Sequence, residues 1–358
     1  DFSFGLLKED FEHFEPMSLN ALHRVPILET AEVKKLLNGP EAFTPDGSFM
    51  LGESAETKGL YLSCGLNSIG IAIGGGAGMA LAKEIVNGYP PIDLHELNPK
   101  RYPDSWSSAK VLAERVPEIL GKHYEISYPG RQNKTSRNLK LTPLHEHWKA
   151  NNARFAQMFG WERPVYFNCT SEPKLTYDRP EWFEQVGREV EQAHRKAAIF
   201  DQSPFGKIDV QGADAETFLN RLCTNNMARP TGRAIYTGML NERGTYESDL
   251  TVLRLTDEHY RMLIGTNHVK QDLHWLKQHI KENERITLNN VSEEYAMLAL
   301  MGPDTALIAN AIGVSQLNDL GYFQSLSVTI DGIDVYATRI SYVGEAGWEM
   351  ICLKESAP

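Results

Sequence analysis

At 358 residues, 42% hydrophobic and 23% charged, the chain is long enough for more than one folded core and too apolar for wholesale disorder. Its formal charge of -11 disfavours nucleic acid and anionic lipid surfaces, which select clustered Lys and Arg. Neither a nucleic acid nor a membrane is an expected partner.

The first region, to about residue 97, has a mixed α/β rhythm, with a helix predicted over 31–37, a turn at Thr44-Pro45-Asp46-Gly47 and a strand over 60–64. The uncharged run between Lys58 and Lys83 is long enough to span a bilayer, yet it holds seven glycines together with Asn67 and Ser68. A buried strand, a loop and a helix start fit that composition better. The helix is predicted over 76–87, stopped by Gly88 with Pro90 just beyond. The chain opens on Asp1 and carries no signal-peptide pattern, so its start is expected to lie upstream.

Residues 98–170, rich in Arg, Pro, Trp and His, read as a connecting module with a short helix over 111–120 despite Pro117. Gly160-Trp161-Glu162-Arg163-Pro164 reads as a rigid turn leading into a linker. A second large domain is expected over 171–358. It starts with an amphipathic helix after Pro180, in which Trp182, Val186, Val190, Ala193 and Ala197 share a face. Strands are predicted over 207–210, 234–240, 248–255, 260–264, 296–301, 325–330 and 335–341, and helices over 213–223, 268–280 and 304–312. That alternation implies an α+β domain with largely antiparallel sheet. Cys64, Cys169, Cys223 and Cys352 lie far apart with no CxxC pair, and read as reduced thiols of an intracellular protein.

Three motifs can carry chemistry. Asp249 opens an apolar strand just after the Arg243-Gly244 turn, with Thr251 pointing the same way. A carboxylate there can take a proton from a substrate nitrogen or steady the resulting cation; a solvated strand-end acid is the plain alternative. Asn67-Ser68-Ile69-Gly70-Ile71, followed by Gly74-Gly75-Gly76-Ala77-Gly78, sets glycines and a helix N-terminus in sequence. Such a junction either holds an anion, such as the charged edge of a reduced flavin, or packs a helix closely on a strand. Glu345 stands between two glycines, either as a bidentate acceptor for an amino-pyrimidinone or as an exposed turn acid. His145-Glu146-His147 lacks a third ligand at a recognisable spacing, and no metal site is expected.

Taken in order, these motifs, with Asn38-Gly39-Pro40-Glu41-Ala42-Phe43-Thr44-Pro45-Asp46-Gly47 and Gly160-Trp161-Glu162-Arg163-Pro164, resemble the dimethylglycine and sarcosine dehydrogenase family. The resemblance implies a multidomain α/β and α+β chain. The C-terminal part of an FAD-dependent DAO-type oxidoreductase domain (1–97) is followed by the connecting module (98–170) and a T-protein-like, aminomethyltransferase folate-binding domain (171–358). It also implies that Asp249 is the acid beside the reactive folate nitrogen and that Glu345 holds the pterin. Thr251 and Asn267 would line the folate pocket, and the backbone of Asn67, Ser68, Ile69, Gly70 and Ile71 would follow the flavin ring. The dinucleotide GxGxxG motif of that family is absent, and the folate module would continue past Pro358, so a fragment of a longer polypeptide is expected.

The implied activity is FAD-dependent oxidation of an N-methyl amino acid, dimethylglycine or sarcosine, with capture of the one-carbon unit by tetrahydrofolate. An electron-transfer flavoprotein is a possible partner, in the cytoplasm of a bacterium or the mitochondrial matrix of a eukaryote. Two alternatives stand beside it: a noncatalytic regulator on the same scaffold, resembling the regulatory subunit of pyruvate dehydrogenase phosphatase, and a stand-alone aminomethyl transferase. The flavin-like first third of the chain speaks against the latter.

Overall fold

Long antiparallel strands between positions 198 and 353 set the architecture of the second half of the chain, and the first half wraps against it. The structure is a computed structural model describing residues 5–168 and 173–358; Cys169 lies outside the described residues.

Near the N-terminus, α1 (Phe11–Arg24) is capped by Asp10, whose carboxylate accepts from the His13 N–H at 2.8 Å. The helix predicted over 31–37 does not form: a 3-10 turn (Pro26–Thr30) ends at Ala31 in extended backbone. There Asn38 is claimed by a long-range pairing, accepting from Leu7 N at 2.7 Å and donating to Lys8 O at 2.9 Å. Val33 and Leu37 stay exposed, so no buried face rewards a helix.

A hairpin of β1 (Met50–Glu53) and β2 (Tyr61–Cys64) follows, then α2 (Gly70–Asn87), which Gly88 terminates at φ 80. This helix starts at Gly70, earlier than the predicted 76, and runs through four glycines that each cost roughly 1 kcal/mol relative to alanine. Ala77 and Ala80, packed on Leu51, hold it in place.

The connecting module comprises α3 (Ala109–Lys122), β3 (Lys140–Leu141), α4 (His145–Ala150), β4 (Ala153–Met158) and β5 (Trp161–Phe167). Ser108 caps α3 at Val111 N, and Pro117 is accommodated inside the helix. The rigid turn expected over 160–164 is a turn only at Phe159 and Gly160. From Trp161 the chain is a strand paired antiparallel to β4, and Pro164 sits beside a register shift where no ladder donor is required.

In the C-terminal half come α5 (Phe183–Arg195), β6 (Ala198–Asp201), β7 (Gly206–Gln211), α6 (Ala215–Leu222), β8 (Ala234–Leu240), β9 (Tyr246–Thr256) and β10 (His259–Ile264). They are followed by α7 (Val269–Gln278), β11 (Thr287–Asn290), β12 (Tyr295–Met301), α8 (Thr305–Ala311), β13 (Ser325–Ile330), β14 (Ile333–Arg339) and β15 (Gly347–Leu353). One five-stranded sheet runs β11-β7-β10-β9-β8 and the other β13-β14-β15-β12-β6. Strand alternation sorts the side chains. Leu250 and Val252 of β9 join Phe218 and Leu219 of α6 in one core. Leu253 points the opposite way and meets Ala234, Met297 and Ile351 between the sheets.

Candidate functional site at the mouth of the intersheet layer

Asp249 and Thr251 share the face of β9 that carries Leu253, so both look into the layer between the sheets. Tyr236 of β8 stands directly opposite Thr251, and its hydroxyl donates to Asp249 Oδ2 at 2.9 Å. That bond to a carboxylate raises the Tyr236 pKa above its usual value. Toward Leu253 the layer is apolar; toward Asp249 it opens and turns polar.

The other sheet contributes two more polar groups. Glu349 of β15 alternates with Trp348 and Met350, which face the second core, and so lies on the intersheet face with Ile351. It is 3% exposed, and burial pushes its carboxyl up to about 7. Tyr342, in the turn after β14, is 66% exposed overall; partial desolvation of its hydroxyl and the nearby charge of Glu349 hold it above its ordinary value, with Thr251 acting in the opposite direction. Tyr236, Asp249, Thr251, Tyr342 and Glu349 thus form a polar cluster at the edge of the apolar layer around Leu253, with Thr251 and Glu349 buried and Tyr236, Asp249 and Tyr342 exposed. Behind β9, Asp272 of α7 is fully buried, and burial pushes its carboxyl up to about 7.

Glu345 is 39% exposed, and its Oε1 lies 4.0 Å from His194 Nδ1 of α5. Asn267, two residues before α7, lines a cavity of about 420 Å³ together with His95, Arg101, Arg115 and Trp106. The structure therefore brings Asp249 and Thr251 together, and sets Glu345 on an outer turn and Asn267 at the seam with the first half. Tyr236, Tyr342 and Glu349 were missed from sequence. A glutamate inside the apolar run Trp348-Glu349-Met350-Ile351 is the signal that could have found one of them.

The glycine-rich segment has a definite shape. Asn67 and Ser68 occupy left-handed backbone at φ 47 and 66, held by a buried Asn67 side chain that accepts from Thr44 N at 2.9 Å and donates to Gly65 O at 2.6 Å. Ser68 bonds Glu41. The Asn67 N–H bonds Ala42 O at 3.1 Å and the Ile69 N–H bonds Leu66 O at 3.0 Å, which fixes the entry into α2. At Gly74, Gly75, Gly76 and Gly78 an added Cβ would meet no atom within 4 Å, so the first turns of α2 are open on more than one side, and Ile71 is exposed as well.

His145 packs tilted against Phe155 and His147 meets Trp148 edge-on, and among the described residues no group of three His, Cys, Asp or Glu is placed to hold a metal ion. No described helix is long and apolar enough to cross a membrane.

Two family models match the chain: an FAD dependent oxidoreductase central domain over residues 87–142, and the GCVT N-terminal domain over 144–358. Human mitochondrial sarcosine dehydrogenase is 31% identical over 399 residues, covering 99% of this chain and 44% of the relative. Human mitochondrial dimethylglycine dehydrogenase is 27% identical over 363 residues, covering 99% and 42%. The mouse mitochondrial pyruvate dehydrogenase phosphatase regulatory subunit is 36% identical over 305 residues, covering 83% and 35%. The chain spans less than half the length of each. Among solved structures, glycine cleavage system aminomethyltransferase T from Bartonella henselae superposes with TM-score 0.51 at 24% identity, covering 61% of this chain and 55% of that one, a likeness of fold.

Proposed function

The chain belongs to the GCVT N-terminal domain family and, with its FAD dependent oxidoreductase central domain, to the sarcosine and dimethylglycine dehydrogenase family; from this premise we propose that it serves FAD-dependent oxidative demethylation of an N-methyl amino acid, with transfer of the one-carbon unit to tetrahydrofolate. The observation carrying this reading is the Tyr236–Asp249 pair at the polar mouth between the sheets. FAD, when bound, accepts the hydride that leaves the substrate's methyl carbon. The backbone from Asn67 to Ile71 and the open start of α2 would hold its ring edge; Asn67 N–H already bonds Ala42 O and Ile69 N–H bonds Leu66 O, so the donors would be those of Ser68, Gly70 and Ile71.

In the C-terminal half the chain's own groups divide the work. Glu349 and Tyr342 present an acceptor and a hydroxyl to the amino-pyrimidinone edge of a folate, while the layer around Leu253 and Ile351 excludes water. Asp249 takes the proton released as the folate nitrogen attacks the one-carbon cation, and Tyr236 aims the carboxylate. Thr251, on the same face, completes the wall, and Asn267 approaches from the seam. Glu345, on its outer turn, would reach a pterin only if that turn moves inward from His194.

Dimethylglycine and sarcosine are the proposed substrates, and the mitochondrion the proposed compartment in a eukaryote, following the names of the relatives. An electron-transfer flavoprotein is the proposed electron acceptor. In the full-length protein, Asp249→Ala should leave flavin reduction by either amine intact, while formaldehyde replaces the folate-dependent product. Folate capture at the native rate would remove Asp249 from this role.

A second reading is favoured by the 36% identity to the pyruvate dehydrogenase phosphatase regulatory subunit. In it the same mouth binds a ligand without chemistry and the protein regulates a partner. Full-length protein whose flavin neither amine bleaches would support that reading over the first.

A further inference from the structure

The first half of the chain meets α7 through one distinctive contact. His95, in a 3-10 turn (His95–Leu97), and His268, immediately before α7, stack their rings with centroids 4.2 Å apart and planes 6° from parallel. His95 Nε2 and His268 Nδ1 are buried and unpaired in the structure. Two residues further on, Lys270 ties α7 to Glu56 and Asp104 at 3.1 Å each. Asn267 precedes His268 directly and lines the seam cavity beside His95.

We propose that His95 is a positioning residue for the C-terminal pocket: by stacking on His268 it fixes the start of α7, and with it Asn267, against the flavin-side half. The inference rests on the reading that this pocket binds tetrahydrofolate. Neutral imidazoles stack face to face without penalty, whereas two imidazolium ions at this separation repel. The charged groups acting on the pair are Asp93 and Glu96 beside His95, Arg101 from the next turn, and Glu247 and Asp249 from β9. Burial outweighs these acids and holds both rings below the ordinary histidine value of 6.5. The stack is therefore intact above that value and is lost as pH falls through the lower ones.

The test is tetrahydrofolate binding by the full-length protein, titrated calorimetrically from about pH 8 to about pH 5.5, the window in which histidine charges. Wild-type affinity should fall on acidification. His95→Ala should weaken binding about fivefold or more at the alkaline end, the size of a typical coupling between sites. His95→Phe keeps a stacking ring without a titrating nitrogen, so it should bind as wild type at the alkaline end and lose less affinity in acid. Wild-type affinity and an unaltered pH profile in both variants would overturn the role of His95. A wild-type protein that binds no tetrahydrofolate at any pH overturns the folate reading and this inference together, so the wild-type titration alone distinguishes the two failures.

Discussion

Tyr236 donates its hydroxyl to Asp249 Oδ2 at 2.9 Å from the adjacent strand, which fixes the direction in which that carboxylate presents its second oxygen. Both residues are exposed at the mouth, so the bond adds little to folding and its value lies in alignment. Tyr236→Phe should slow folate-dependent capture about tenfold, the lower part of the range for positioned acid and base groups, while melting stays within about 0.5 kcal/mol of wild type. Single-turnover formation of the folate product, measured beside flavin reduction, checks this. An unchanged capture rate would mean that Asp249 needs no aiming.

Glu349 makes stability depend on pH. A carboxyl that burial raises to about 7 from an ordinary 4.5 prefers its neutral form in the fold. Its contribution is fully present below 4.5 and is lost as pH rises through about 7. Glu349→Gln keeps the shape and removes the titration. The variant should match or fall below wild type near pH 5 and exceed it by roughly 1–3 kcal/mol near pH 8. Asp272, raised to the same region, retains its own dependence in the variant, so the slope should shrink without vanishing. Denaturant melts at the two pH values decide it; parallel pH profiles for the two proteins would remove Glu349 as a source.

Much of the sheet architecture was legible because each strand alternates over a buried face. Positions 234–240 and 325–330 were predicted with the bounds the structure has, and Asp249 with Thr251 followed from the same period. Cross-strand partners were not legible. Tyr236 reaches Asp249 only through the β8–β9 register, and Glu349 meets Tyr342 only because β15 pairs between β14 and β12. Periodicity misled where tertiary pairing overrode it, as when Asn38 bonded Leu7 and Lys8 and the helix over 31–37 was lost. His95 and His268 are far apart in sequence, with nothing in either segment to announce a stack.

On the same intersheet face as Leu253, Arg261 grips Asp209 through two bonds of 2.7 and 2.9 Å and lies 3.8 Å over the Tyr295 ring. Burial alone would raise the Asp209 carboxyl, but hydrogen bonds from Arg261 and His259 outweigh it and hold it below its usual value. Its contribution is present above the unfolded value and is lost as pH falls through the folded one. Asp209→Ala leaves a guanidinium buried without its partner and should cost about 3–5 kcal/mol in a denaturant melt at neutral pH. Replacing both partners, as in Asp209→Leu with Arg261→Met, should recover most of that loss. If the double variant is as unstable as the single one, the cost lies in packing and not in the stranded charge.

The proposed flavin edge can be tested apart from the folate mouth through Asn67. Its buried side chain satisfies Thr44 N and Gly65 O, and its backbone at φ 47 is a conformation asparagine tolerates better than most residues. Asn67→Ala strands the Thr44 N–H and adds strain, together about 1–3 kcal/mol, at the loop that leads from Ser68 into α2. Full-length protein carrying this change should purify with less flavin than wild type. Tetrahydrofolate affinity should hold, because Asp249, Tyr236 and Glu349 belong to sheets whose cores do not include that loop. Flavin absorbance per mole of protein and folate titration are the two readouts. Full flavin occupancy would sink the assignment of Asn67 to Ile71 to the flavin edge, whereas a parallel loss of folate binding would show that the loop supports the whole fold.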